Sequence, residues 1–75
     1  MGFQAINDVT IEGTLTEENH LKWYAKGREC DATVIMTDAV YNIVDEARRE
    51  KKYLKVRVRG QLANDYIYCH HIEVA

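Results

Sequence analysis

Basic and aromatic side chains recur at every second position in two stretches of this sequence. The set consists of Lys22, Tyr24, Lys26, Arg28, Lys55, Arg57, Arg59, Tyr66 and Tyr68. Cations neutralise phosphates, and flat aromatic rings stack on unpaired bases, each stacked base contributing about 1–3 kcal/mol. Together these residue types predict a surface that binds single-stranded nucleic acid, either DNA or RNA.

The same residues allow two other interpretations. Tyrosine and arginine are also enriched in protein interfaces, so this face is equally typical of a dimer or partner contact in an assembly subunit or an inhibitor. Lysines on outer strand faces are common on solvated surfaces, where they deter aggregation. The net charge of −2 argues against nucleic-acid binding by bulk charge. All three interpretations stay open on the sequence alone.

The second stretch, residues 53–74, predicts a β-hairpin. Apolar and basic residues alternate from 54 to 59, which is the period of a strand with one buried face. A turn-forming segment at 63–65 leads into an aromatic and β-branched run. The hairpin is expected to place Tyr66 and Tyr68 beside the cations of its first strand. A change of parity along the last strand predicts a bulge at His70-His71.

Three shorter strands are predicted upstream of this hairpin. The first begins at Val9 and is interrupted by Gly13, which is expected to mark a bend where the strand coils to serve both sheets. The second covers residues 20–26 and points Trp23 toward the core rather than toward a ligand. A turn at 27–29 precedes the third strand, which alternates from Ala32 to Thr37.

The period changes from two to 3.6 after Thr37, and this predicts one helix at about residues 39–51. Asp38 is expected to be its N-cap. Positions 40, 43, 44 and 47 are apolar and define one helical face. Asp45 and Arg49 are spaced to form an ion pair.

The resulting order predicts a mainly β protein: a small five-stranded OB-fold Greek-key barrel with one α-helix between strands 3 and 4. Residues 1–75 are expected to form one domain, with 1–7 as a loose arm. A small barrel leaves strand edges and apolar side chains such as Ile35 exposed, so a homodimer is expected.

The segments VTIEGTL, AVYNIVDEAR, YLKVRVRGQL and YIYCHHIEV resemble the bacterial single-stranded DNA-binding protein and primosomal PriB group of OB-fold proteins. In that group the fourth strand is likewise an alternating run that ends in a glycine. The resemblance spans roughly residues 8–75 and implies binding of single-stranded DNA in replication. The chain departs from the group in its short turn at 27–29, and no acidic tail follows Ala75.

Other classes of function find little support. No nucleophile elbow, phosphate loop or suitable carboxylate pair is present, so no enzymatic activity and no cofactor are expected. Cys69-His70-His71 lacks paired metal-ligand spacing, and Cys30 and Cys69 are expected to be reduced. The N-terminus shows no secretory signal and no apolar run approaches the ~20 residues of a membrane span, which favours a cytoplasmic protein without membrane partners.

Overall fold

The computed structural model describes residues 8–75 of the chain. It contains five strands and one helix. In chain order these elements are β1 (Asp8–Leu15), β2 (His20–Ala25), β3 (Arg28–Met36), α1 (Asp38–Arg48), β4 (Leu54–Ala63) and β5 (Tyr66–Val74). The interpretation of residues 1–7 as a loose arm falls outside the described residues.

The strands close into a barrel in the order β1-β2-β3-β5-β4. β1 pairs along its whole length with β4, whereas only its last two residues, Thr14 and Leu15, pair with β2. β5 lies between β3 and β4, parallel to the former and antiparallel to the latter. This topology, with a helix between β3 and β4, is that of the OB-fold and confirms the predicted fold class.

The barrel interior is filled by the apolar residues that alternate along each strand. Leu54, Val56 and Val58 are buried while the cations between them are exposed, so the predicted parity of β4 is confirmed. Trp23 is half-buried and packs against this core, as the sequence predicted. Burial decreases along β2, because its end and the start of β3 extend beyond the closed part of the barrel.

Two glycines allow neighbouring strands to approach closely. A Cβ atom at Gly13 would lie 2.3 Å from the carbonyl oxygen of Lys22, and one at Gly60 would lie 2.1 Å from that of Tyr68. Gly13 is therefore required by the close approach of the β2 backbone. Gly60 adjoins the shift in register between β4 and β5, where Arg59 pairs with His71 and Gly60 with Cys69. His70 is thus the extra residue of the predicted bulge.

The β2–β3 turn differs from the prediction at 27–29. It consists of Lys26 and Gly27, which have φ angles of 54° and 76°, and Ala25 pairs with Arg28 across it. Two successive residues with positive φ are typical of the two-residue hairpin turn, whose twist matches that of the strands. β3 consequently begins at Arg28 rather than at Ala32, and Lys26 lies in the turn.

The helix differs from the prediction in its N-cap and in its last residue. Its N-cap is Thr37, not Asp38: the Thr37 hydroxyl accepts a hydrogen bond of 3.3 Å from the Val40 N–H. Asp38 instead places its carboxylate in the first turn, where the helix dipole favours it. The helix ends at Arg48, three residues earlier than predicted, and Arg49 is its C-cap, with its backbone N–H donating to the Glu46 carbonyl oxygen.

Only part of the predicted helical face is buried. Val40 and Val44 join the barrel core, whereas Ile43 is 47% exposed. Arg49 pairs with Glu46 at 3.9 Å rather than with Asp45. The helix packs against β3 and β5 and closes one end of the barrel. Within residues 8–75, the helix is too short and too polar to cross a membrane.

Candidate nucleic-acid interface

Two lysines from distant parts of the chain are brought together by the register of three strands. Lys55 of β4 lies opposite Thr14 of β1, and Thr14 lies opposite Lys22 of β2. All three side chains have the outward parity of their strands. Because each neighbouring strand adds about 4.8 Å, the lysine backbones are separated by about 10 Å across the barrel surface. No salt bridge among residues 8–75 involves either lysine.

Exposed tyrosines lie on both sides of this lysine pair. Tyr24 is two residues beyond Lys22 on β2 and is 76% exposed. Tyr53 is two residues before Lys55, is 58% exposed, and lines a cleft of about 380 Å³ together with His20 and Lys22. We call Lys22, Tyr24, Tyr53 and Lys55 the central surface. It combines two cations with two accessible rings, the composition that a single strand requires.

Acidic residues border the central surface on one side. Asp31 lies opposite Lys22 on β3, but its carboxylate contacts His20 Nδ1 at 3.1 Å. Glu17 and Glu18, in the turn between β1 and β2, line the cleft beside Tyr53. These carboxylates would repel phosphates, so an anionic ligand is best accommodated between the two lysines, away from the turn at Glu17 and Glu18.

Arg57 is held by two carboxylates. Its Nη2 and Nε donate hydrogen bonds to Glu12 Oε2 at 2.7 and 2.9 Å, and its Nη1 donates to Glu73 Oε1 at 3.2 Å. The register explains the contact, because Glu12 and Glu73 flank Arg57 on the two neighbouring strands. Hydrogen bonding to Glu12 and the charges of both carboxylates raise the pKa of Arg57 above its ordinary value. We call this group the Arg57 clamp.

The tyrosines of β5 are not beside the cations of β4, contrary to the prediction. Tyr66 pairs with Ala63 and Tyr68 with Gln61, while Arg57 and Arg59 pair with residues near the end of β5. The reason is the direction of the hairpin: Tyr66 follows the turn directly and therefore meets the last residues of β4, whereas the cations lie earlier on that strand.

On their other side the β5 tyrosines meet β3. Tyr66 lies opposite Thr33, and Tyr68 lies opposite Ile35. Ile35, Tyr66 and Tyr68 are 41%, 46% and 47% exposed. We call these three residues the apolar patch. Their outward-facing partners on β3 and β4 are uncharged, so this surface is suited to apolar contact rather than to a phosphate backbone.

The remaining predicted site residues are dispersed. Lys26 is in the β2–β3 turn, at the tip of the hairpin. Arg28 has the parity of the half-buried Trp23, so it projects from the opposite side of the hairpin to Tyr24. Arg59 lies between Thr10 and His71 and is exposed. The structure therefore brings Lys22, Tyr24 and Lys55 together but does not bring these three cations to them.

Tyr53 is not among the site residues predicted from the sequence. The sequence does contain a signal for Tyr53: it precedes Lys55 by two residues and therefore has the same outward parity. Its position beside Lys22 and His20 follows from the closure of the barrel, which local periodicity does not specify.

The two cysteines lie on different strands, Cys30 on β3 and Cys69 on β5. Cys69 is buried and Cys30 half-buried, and both are free thiols. Burial raises the pKa of Cys69 above its ordinary value, and its thiol donates to the His71 carbonyl oxygen at 3.3 Å. Among residues 8–75, no three His, Cys, Asp or Glu side chains are close enough to hold a metal ion together.

Comparisons of the chain with protein families, curated proteins and solved structures found no match.

Proposed function

We propose that this barrel is a non-enzymatic module that binds single-stranded nucleic acid through the central surface. Lys22 and Lys55 neutralise phosphates, and Tyr24 and Tyr53 stack on bases. The two free cysteines favour a reducing compartment, so we place the protein in the cytoplasm.

The observation that carries this proposal is the arrangement of the two lysines on either side of Thr14. They come from different strands, no acidic side chain among residues 8–75 forms a salt bridge with them, and an exposed tyrosine adjoins each. Lysines that serve only to keep a strand face solvated would not need to be paired across β1 or to have tyrosines beside them. Their separation allows the two ammonium groups to contact different phosphates of one strand.

A single strand is favoured over a duplex because stacking on Tyr24 and Tyr53 requires unpaired bases. The acidic turn at residues 17–18 and the Arg57 clamp border the surface on two sides, so the contacted length is short. We expect a site of about 4–6 nucleotides, at the lower end of the range for one OB-fold.

The experiment is a titration of fluorescein-labelled oligo-dT of about 12 nucleotides, and of the corresponding dT·dA duplex, followed by anisotropy. Measurements at roughly 50 and 200 mM salt give the number of phosphates neutralised. We expect tighter binding of the single strand and a logarithmic salt slope of about −1.4, which corresponds to two phosphates. Equal binding of both forms, or binding of neither, would contradict the proposal.

A second candidate function is supported by the apolar patch. Three exposed apolar side chains, Ile35, Tyr66 and Tyr68, are adjacent on β3 and β5, and their direct cross-strand partners within residues 8–75 are uncharged. This composition is typical of the centre of a protein interface. We propose that the patch forms a homodimer contact. The residues that the sequence predicted as one ligand face then belong to two surfaces: the central surface, which binds nucleic acid, and the apolar patch, which binds a second copy of the chain.

A further inference from the structure

The Arg57 clamp adjoins the central surface. Lys55 and Arg57 are two residues apart on the same strand and have the same outward parity. Both line a cleft of about 540 Å³ together with Glu12, Thr14 and Glu73. A strand bound at Lys55 therefore has an arginine within reach of its next phosphate, but the donors of that arginine are already engaged.

The clamp is exposed, and it is therefore weakly held. The side chains of Arg57, Glu12 and Glu73 are 51%, 67% and 57% accessible to solvent. Exposed ion pairs contribute little to folding, since water screens the attraction and ordering two long side chains costs entropy. None of the three residues is in the buried core. The clamp is consequently not needed to hold the barrel together.

Guanidinium groups bind carboxylates and phosphates with the same donors and in the same geometry. In the clamp, three Arg57 nitrogens donate to Glu12 and Glu73, and the two negative charges exceed the single positive one. A phosphate that approaches Arg57 must therefore displace a carboxylate and meets a net negative charge.

From this geometry we infer that Glu12 and Glu73 are resident competitors of phosphate at Arg57, so that Arg57 is a latent phosphate-binding residue whose availability limits affinity for single strands. The inference rests on the proposed function and adds the regulation of the same site. It also revises the expected contribution of Arg57: in the parent protein, Arg57→Ala should leave the salt slope unchanged, because Arg57 contacts no phosphate while Glu12 and Glu73 hold it.

The test uses the isosteric double variant Glu12→Gln/Glu73→Gln. It should bind the oligo-dT about three- to tenfold more tightly than the parent at low salt, as removal of two exposed ion pairs allows. Its salt slope should steepen by about 0.7, which is one additional phosphate on a single strand. Adding Arg57→Gln to the double variant should return the slope to the parent value.

The matched control is Glu46→Gln/Glu50→Gln. It makes the same change in net charge and also removes a carboxylate partner of an arginine, Arg49, but at the exposed C-terminal end of the helix. If the control and the Glu12→Gln/Glu73→Gln variant gain affinity equally, the effect is one of net charge and the inference is wrong, while the proposed function is unaffected.

A second probe does not depend on oligonucleotide binding. Inorganic phosphate is titrated while the Arg57 Nε–H resonance is followed by NMR. We expect a saturable shift in the Glu12→Gln/Glu73→Gln variant and none in the parent at the same concentrations. If neither the parent nor the double variant binds oligo-dT, the proposed function fails, and the phosphate titration alone tests the inference about Arg57. A saturable shift that occurs only in the double variant supports carboxylate competition at Arg57. The absence of a saturable shift in the double variant overturns the inference.

Discussion

Lys22 and Lys55 lie on opposite sides of Thr14, one on each strand that neighbours β1. Neither strand alone forms this pair; the register of β1 with both neighbours does. The relationship links the two basic stretches of the sequence at one point, whereas the other predicted cations are dispersed or neutralised.

Lys22→Gln and Lys55→Gln should each reduce the magnitude of the salt slope for oligo-dT by about 0.7, and the double variant by about 1.4, because each change removes one phosphate contact. Anisotropy titrations at several salt concentrations measure the slope. Arg49→Gln, at the C-cap of the helix, makes the same change in charge outside the central surface and should leave the slope unaltered. If Arg49→Gln reduces the salt slope by as much as the lysine variants do, the effect is one of net charge alone.

Tyr24→Ala and Tyr53→Ala should each weaken oligo-dT binding by about 1–3 kcal/mol without changing the salt slope, because they remove a stacking surface and no charge. Tyr24→Phe and Tyr53→Phe retain the ring and should bind nearly as the parent does. Tyr41→Ala is the control, since Tyr41 is similarly exposed but lies on the helix. Parent-like binding by both alanine variants would remove the central surface as the site.

Ile35→Glu should convert the proposed dimer to a monomer, because the new carboxylate is buried against the partner's apolar patch without a counter-charge. Static light scattering at tens of micromolar should give about twice the 8.7 kDa chain mass for the parent and the chain mass for the variant. Ile43→Glu, on the exposed side of the helix, should leave the mass unchanged. A monomeric parent would contradict the dimer.

Light scattering and the oligo-dT titration together distinguish the apolar patch from the central surface. Tyr68→Ala should weaken the dimer and leave oligo-dT binding to the monomer unchanged, because Tyr68 pairs with Ile35 and Gln61 rather than with a cation. If Tyr68→Ala weakens oligo-dT binding by about 1–3 kcal/mol instead, the apolar patch belongs to the nucleic-acid site.

Gly13→Ala and Gly60→Ala should both destabilise the barrel by about 1–3 kcal/mol or more, because the added Cβ atoms would clash with backbone oxygens that belong to neighbouring strands. For a domain of this size each kcal/mol lowers the melting temperature by about 4–8 °C. Gly27→Asn is the control: no heavy atom lies within 4 Å of its Cβ position, and asparagine tolerates its φ of 76°. Parent-like melting of Gly13→Ala would refute the close approach.

Stability should decrease in alkaline solution in a manner that depends on Cys69. Burial raises the pKa of this thiol in the folded protein above its ordinary value of 9.0. As pH rises through the ordinary value, the unfolded chain loses the proton while the folded chain keeps it, so unfolding becomes more favourable; the decline ends once the pH exceeds the folded-state pKa.

Denaturant unfolding of the parent and of Cys69→Ala at several values between about pH 7 and pH 10 measures this dependence. Cys69→Ala should be less stable at neutral pH, because it leaves a cavity, but its stability should decline less above pH 9.0. All other ionisable groups are the same in the two proteins, so the difference isolates Cys69. Parallel pH profiles would contradict the prediction.

The sequence by itself determined the order of the elements and the parity of each strand. The alternation in β4, the turn before β5 and the bulge at His70 depend on neighbours in the chain, and each is confirmed. The OB-fold followed because three strands, one helix and a hairpin of these lengths have few ways to bury their apolar faces.

The sequence did not fix the helix N-cap or the β2–β3 turn, because two nearby residues suit each of these positions. Thr37 rather than Asp38 caps the helix, and Lys26 rather than Arg28 occupies the turn before β3. In both cases the predicted and observed residues are at most two positions apart. Sequence patterns locate such boundaries only to within a few residues, because adjacent residues have similar propensities.

Only the tertiary structure decided which outward-facing residues share a surface. Parity shows that Lys55, Arg57 and Tyr68 all face outward, but the register across strands determines the partners of each. That register places Arg57 between two carboxylates, Tyr68 beside Ile35, and Lys55 near Lys22. Closure of the barrel joins residues that are far apart in sequence, and local periodicity carries no information about that distance.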